Sequence, residues 1–97
     1  MLTGKQKRHL RGLGSKEEPI LQIGKNGINE NCVVQAQEAL LARELIKVRV
    51  LKNCVDEVSD VAQSLSTSVR GELVQVIGRN FLLYKRSHEK PKIELPE

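Results

Sequence analysis

The sequence predicts one α/β domain, a two-layer sandwich in the order α-β-α-β-α-β-β around a mixed four-stranded sheet. Apolar residues recur at helical spacing in three stretches, and four short apolar or alternating runs lie between and after them. The last two of those runs are separated by little more than a glycine-containing turn. Ninety-seven residues are one domain's worth, so 1–97 is read as a single domain, with 86–97 as its C-terminal tail.

Residues 3–13 read as the first helix: Thr3 can cap it, Gln6, Leu10 and Leu13 share one side, and Gly12 or Gly14 can end it. Lys5, Lys7, Arg8 and Arg11 spread over the rest of its surface. Pro19 opens the first strand where a missing N–H does little harm, and Ile20–Ile23 is short and apolar, as a buried strand should be. Asn29 is a good N-cap for a second helix over Glu30–Arg43. Val33, Ala36 and Leu40 mark its packed face, widened by Val34 and Leu41.

Leu45–Leu51 alternates, with Ile46, Val48 and Val50 on one side and Lys47 and Arg49 on the other. Val55–Val69 returns to helical period through Val58, Val61, Ala62, Leu65 and Val69, with Asp56, Glu57 and Asp60 at its positive end. Gly71 stops it. Leu73–Ile77 and Phe81–Lys85 flank the turn Gly78-Arg79-Asn80, and Phe81 is read as core. Ile93 and Leu95 suggest a tail that docks.

Strands joined through a helix run parallel with right-handed crossovers, so the first three strands should point the same way and the fourth against its hairpin partner. The C-terminal ends of the first three then share one rim, where α/β sheets bind ligands. Lys25, Lys52 and Arg79 follow those ends. The first helix is expected to run back against the first strand, bringing Lys5, Lys7 and Arg8 toward the same rim. The third helix, with its acids, is expected to leave its own flank free of nucleic acid.

Gly24-Lys25-Asn26-Gly27 stands between the first strand and the second helix's cap. Two glycines three apart permit a tight turn, a helix N-terminus leaves backbone N–H groups unpaired, and a lysine adds charge. Together they make a place for a phosphate. A GxxG alone often marks only a turn; its place before a capped helix, with bases around the inferred rim, points to a clamp on RNA backbone. KH modules use the same kind of loop. Lys47 and Arg49 either extend that surface or form a plain solvated face.

Charge agrees: 16 Lys+Arg against 12 Asp+Glu give net +4, which favours a polyanionic partner. Six bases (Lys5, Lys7, Arg8, Arg11, Lys16 and Lys25) crowd the first quarter, whereas residues 53–69 hold three acids and no base. Met1-Leu2 is followed by polar residues, and no run approaches a membrane span, so a cytoplasmic protein is expected. Cys32 and Cys54 form no CxxC and have no histidine at metal-ligand spacing; both read as small apolar fillers. His9 and His88 sit in basic segments, and neither a nucleophile–base arrangement nor a P-loop is present. No enzyme activity, metal, cofactor or small-molecule substrate is expected. Only Phe81 and Tyr84 are aromatic, so base stacking of the RRM or OB kind is disfavoured.

The segments Leu2-Thr3-Gly4-Lys5-Gln6-Lys7-Arg8-His9-Leu10-Arg11, Ile23-Gly24-Lys25-Asn26-Gly27-Ile28, Glu44-Leu45-Ile46-Lys47-Val48 and Val74-Gln75-Val76-Ile77-Gly78-Arg79, with Leu83-Tyr84 and Ile93-Glu94-Leu95-Pro96, resemble the CRM domain (chloroplast RNA splicing and ribosome maturation). The stand-alone bacterial, YhbY-like form is the nearest pattern. The resemblance implies an RNA-binding domain with this element order, similar to the C-terminal domain of bacterial translation initiation factor three. It also implies association with precursors of the large ribosomal subunit, while plant relatives act in group II intron splicing. The family's loop falls on Gly24, Lys25, Asn26 and Gly27, and its basic helix on Lys5, Lys7, Arg8 and Arg11.

The expected RNA-binding set is therefore those eight residues with Lys52 and Arg79, the expected partner is rRNA in large-subunit precursors, and the chain is expected to act as a monomer. The alternative is a protein-interaction domain that docks on the ribosome through a ribosomal protein and has no direct grip on RNA.

Overall fold

Seven elements follow one another: α1 (Gly4–Gly14), β1 (Pro19–Ile23), α2 (Glu30–Arg43), β2 (Leu45–Val50), α3 (Val58–Val69), β3 (Glu72–Ile77) and β4 (Asn80–Tyr84). The structure, a computed structural model, describes residues 2–87 and 91–97; His88 lies outside the described residues. Number and order of elements are those the sequence predicts.

Local chemistry sets the helix starts. The Thr3 hydroxyl oxygen accepts from the Gln6 N–H at 3.1 Å while the Gln6 side-chain oxygen accepts from the Thr3 N–H at 3.0 Å, a reciprocal capping box. Asn29 Oδ1 accepts from the Cys32 N–H at 2.9 Å and starts α2. α3 begins only at Val58, later than expected, because residues 51–57 form a connecting loop on which Val55 is 83% exposed.

The sheet order is β1-β2-β4-β3. β1 runs parallel to β2, and β4 runs antiparallel to both β2 and β3, so β1, β2 and β3 share a direction. The α3 crossover carries the chain one strand beyond β2, and β4 returns through the hairpin to fill the gap. Ile77 pairs with Asn80, leaving Gly78-Arg79 as the turn, with Gly78 at φ +58°. Asn80 thus belongs to the strand rather than to the turn.

Helices α2 and α3 cover one face of the sheet. Ala36, Leu40, Val61, Ala62, Leu65 and Val69 pack there on Ile23, Ile46, Val48, Val50, Phe81 and Leu83. Cys32 and Cys54 are free thiols, half-buried against this core. The opposite face carries a second, smaller core of Leu10, Leu45, Val74, Leu82 and Tyr84, against which Ile93 and Leu95 dock. To the two layers of sheet and helices, α1 and the tail thus add a partial third. The apolar faces expected for the helices are narrower than predicted: Leu13, Val34 and Leu41 are 38%, 44% and 70% exposed. α2 meets its neighbours through a slim stripe in which Ala36 allows close approach, so flanking positions stay in water.

The tail is tied down by Glu44, which is fully buried where α2 passes into β2 at φ +64°. Its carboxylate accepts from the N–H groups of Ser87 at 2.7 Å, Ile93 at 2.7 Å and Lys92. Burial alone would push its pKa up; the amides of Ser87, Lys92 and Ile93, with the Arg86 charge nearby, outweigh that and hold it below the ordinary glutamate value. Burial first and the Glu44 charge second push the Tyr84 hydroxyl up. At the other end of the strap, Gln6 Nε2 donates to Pro96 O at 3.1 Å.

Candidate nucleic-acid interface

The turn after β1 closes through a hydrogen bond from Gly27 N–H to Gly24 O at 3.0 Å, which leaves Lys25 and Asn26 exposed at its corners. The two glycines differ in what they do. Gly27 is buried at φ +69°, and a Cβ there would stand 3.0 Å from Asp56 Oδ2, so the fold itself requires glycine. At Gly24 no left-handed φ is needed, and a Cβ would meet only Leu51 Cδ1 at 3.8 Å. Nothing inside the protein demands glycine at that position.

Hydrogen bonds join the strand ends into one rim. Leu51 N–H donates to Ile23 O at 2.8 Å, and Val50 N–H donates to Arg79 O at 2.7 Å. Lys52, exposed, follows directly. The structure therefore brings Lys25, Lys52 and Arg79 to the rim where the topology put them. Arg79, however, is half-buried and turned inward: its Nε donates to Val50 O at 2.8 Å and its Nη2 to Leu51 O at 2.5 Å.

The first helix does not join this rim as expected. Lys7 lines a hollow with Gln63, Arg70, Gly71 and Glu72, where β3 begins, at the opposite end of the sheet. Gln6 lies with Glu72 and Tyr84 at that same end. Lys5 and Arg8 are exposed on the same N-terminal turns of α1. Arg11, one turn further on, faces Lys47, Ile77 and Asn80. The cause is the slant of α1: it lies on the face away from α2 and α3 with its C-terminal turn over the sheet, and Ser15–Glu18 bring the chain back to β1. Ser15 and Lys16 continue the helix end as a turn, with the Lys16 and Glu17 N–H groups donating to Leu13 O and Gly14 O at 3.2 and 3.0 Å, before the chain extends into β1.

The acids stand close to the turn itself. Asn26 and Ile28 share a hollow with Asp56, Asp60 and Ser64, so the start of α3 stands beside the turn. A phosphate approaching from that side would meet like charge. The head of α2 is less open than expected too, since Asn29 occupies the Cys32 amide and Glu30 adds a carboxylate in the first turn. The open approach is over Lys25 and Lys52, and from there across the sheet face that bears Arg49.

Sequence reasoning missed Glu44 as a structural residue and left Lys47 and Arg49 undecided. Among the described residues no group of His, Cys, Asp or Glu could hold a metal ion, and no helix is long and apolar enough to cross a membrane.

A family model described as the CRS1 / YhbY (CRM) domain matches residues 2–85. The chain is 54% identical over 96 residues to the Bacillus subtilis protein named "Probable RNA-binding protein YqeI", covering 99% of this chain and 100% of that one. It is 34% identical over 95 residues to a Haemophilus influenzae protein named "RNA-binding protein", covering 98% and 95% of the two. Among solved structures it is similar to SAV1595 from Staphylococcus aureus, with a TM-score of 0.84 at 54% identity over 99% of this chain and 100% of that one. The element order, the turn between β1 and α2 and these matches over nearly the full length agree, and the chain belongs to the CRS1/YhbY (CRM) domain family.

Proposed function

We propose that this protein binds RNA and grips its backbone at the Gly24-Lys25-Asn26-Gly27 turn. The observation that carries the proposal is the turn itself: Lys25 and Asn26 project into water on the rim, beside a glycine at position 24 that no contact within the protein explains. A glycine without an internal reason suits close approach by another backbone. The names of the relatives support RNA as the partner class. Lys52 adds charge beside the turn, Arg79 holds the rim in shape, and Arg11, Lys5, Lys7 and Arg8 extend the positive surface around the opposite face. The resemblance to stand-alone bacterial members supports a finer reading, in which the RNA is rRNA of large-subunit precursors and the chain acts on it in the cytoplasm as a monomeric binding module rather than an enzyme.

The test is binding to an rRNA transcript by Gly24→Val and Lys25→Glu, singly and together. Gly24→Val is expected to keep its Tm, because a side chain there has room. Losing the close approach and reversing one charge should weaken binding at least about tenfold, the equivalent of one charge-assisted contact. Wild-type affinity in the double variant would remove the turn from the account. Association with ribosomal particles that survives RNase trimming, together with no affinity for isolated rRNA, would favour docking through a ribosomal protein instead.

A further inference from the structure

Away from the turn, a cleft of about 100 Å³ lies between the last turn of α1 and the sheet. Arg11 and Lys47 line it, with apolar walls from Ile77 and Leu82. Gly14 gives it its shape: α1 descends so far there that a Cβ would drive into the Leu82 side chain, and Gly14 and Ser15 form the remaining wall. Among the described residues neither Arg11 nor Lys47 has an acidic partner. Two cations converging on a half-enclosed space repel each other, and an anion between them would relieve that. Asn80, another wall, carries a buried Oδ1 with no hydrogen-bond donor, a state folded proteins rarely leave unexplained.

The cleft is also continuous with the rim. Arg49, exposed two residues beyond Lys47 on the same strand face, stands between Gln22 of β1 and Asn80 of β4. Gln22 leads through Ile23 into Gly24. With Asp56 and Asp60 on the other side of the turn, a polyanionic chain leaving it has this face as its favourable route.

A cation pair and an apolar wall complement one nucleotide, whose phosphate is anionic and whose base has apolar faces. We propose that this cleft is a second RNA subsite, taking one unstacked nucleotide with its phosphate between Arg11 and Lys47 and its base against Ile77 and Leu82. The space equals that of roughly three water molecules in the liquid, too small to enclose a purine or a base pair, so a pyrimidine ring left partly in water is the better fit. The inference rests on the reading that RNA is held at the turn.

Two measurements test it. In methyl NMR of the unmodified protein, an oligouridylate shifts Ile77 and Leu82, whereas an abasic strand of equal length and inorganic phosphate do not. In salt titrations, Arg11→Gln and Lys47→Gln together lower the slope of log K against log salt by roughly 0.7, the contribution of the one phosphate they share, and each alone by no more than that. Unshifted methyls, or a wild-type slope in the pair while Lys25→Gln still lowers it, would overturn the cleft and leave the turn standing. A slope lowered by the pair but not by Lys25→Gln would keep the cleft and remove the turn. Wild-type binding in all three variants would remove both.

Discussion

Arg79 allows a residue that touches RNA to be told apart from one that shapes the place where RNA binds. Its guanidinium spans Val50 O at 2.8 Å and Leu51 O at 2.5 Å. Leu51 passes that constraint on, since its amide holds Ile23 O at 2.8 Å and its side chain lies beside Gly24. Arg79→Lys keeps the charge but cannot present two donors in a fixed fork. An enclosed hydrogen bond from a charged donor contributes about 1.5–3 kcal/mol; for a half-buried side chain about 1 kcal/mol each is reasonable, about 2 in all. In a domain of this size that corresponds to a fall in Tm of roughly 8–16 °C. Arg79→Lys and Arg79→Gln should both show it in thermal circular dichroism, with displaced amide resonances for Gly24 to Gly27. RNA affinity should fall in both, while Arg79→Lys keeps the wild-type salt slope. If instead Arg79→Lys has wild-type Tm and resonances and Arg79→Gln loses roughly 0.7 of slope, Arg79 is a phosphate contact and the rim-shaping account is wrong.

Glu44→Gln removes a buried charge from three amides and should cost about 2 kcal/mol at neutral pH. Because the carboxyl's folded pKa is depressed, its contribution is full above the ordinary glutamate value of about 4.3 and fades as pH falls through the folded value. The difference in urea-unfolding stability between wild type and Glu44→Gln should therefore close in acid, and a gap that stays constant down to pH of about 2 would contradict this assignment. Gly14→Ala gains about 1 kcal/mol of helix propensity, yet it forces a methyl into Leu82 at an overpacking cost of about 1–3 kcal/mol. A net loss is expected by urea denaturation, partly recovered by adding Leu82→Val; a more stable Gly14→Ala would show that the helix can lift without penalty.

Element order was legible because each stretch carries its own period, and strand directions followed from the helices that join the first three strands. The loop between β1 and α2 was legible for the same reason: Ile23, Gly24 and Asn29 are adjacent signals. The slant of α1 was not, since one short connection allows either face and either direction. A clue to the second covered face was present. Phe81-Leu82-Leu83-Tyr84 is apolar at both parities, as a strand buried on both sides must be. Asp56 comes against Gly27 through packing between residues far apart in the chain. Glu44 reads as a solvent-facing acid at a helix end, and only the amides of Ser87, Lys92 and Ile93 reveal otherwise.

The hydrogen bond between Gln6 and Pro96, ninety positions apart, also bears on how the protein is made. On the ribosome α1 emerges before every surface it packs upon: Leu10 must wait for Leu45, Val74, Leu82 and Tyr84, and the seat is complete only when Ile93 and Leu95 arrive. At about 5–20 residues per second that delay is roughly 4–16 s. Until then the positively charged first helix lacks the full set of apolar partners that fixes it.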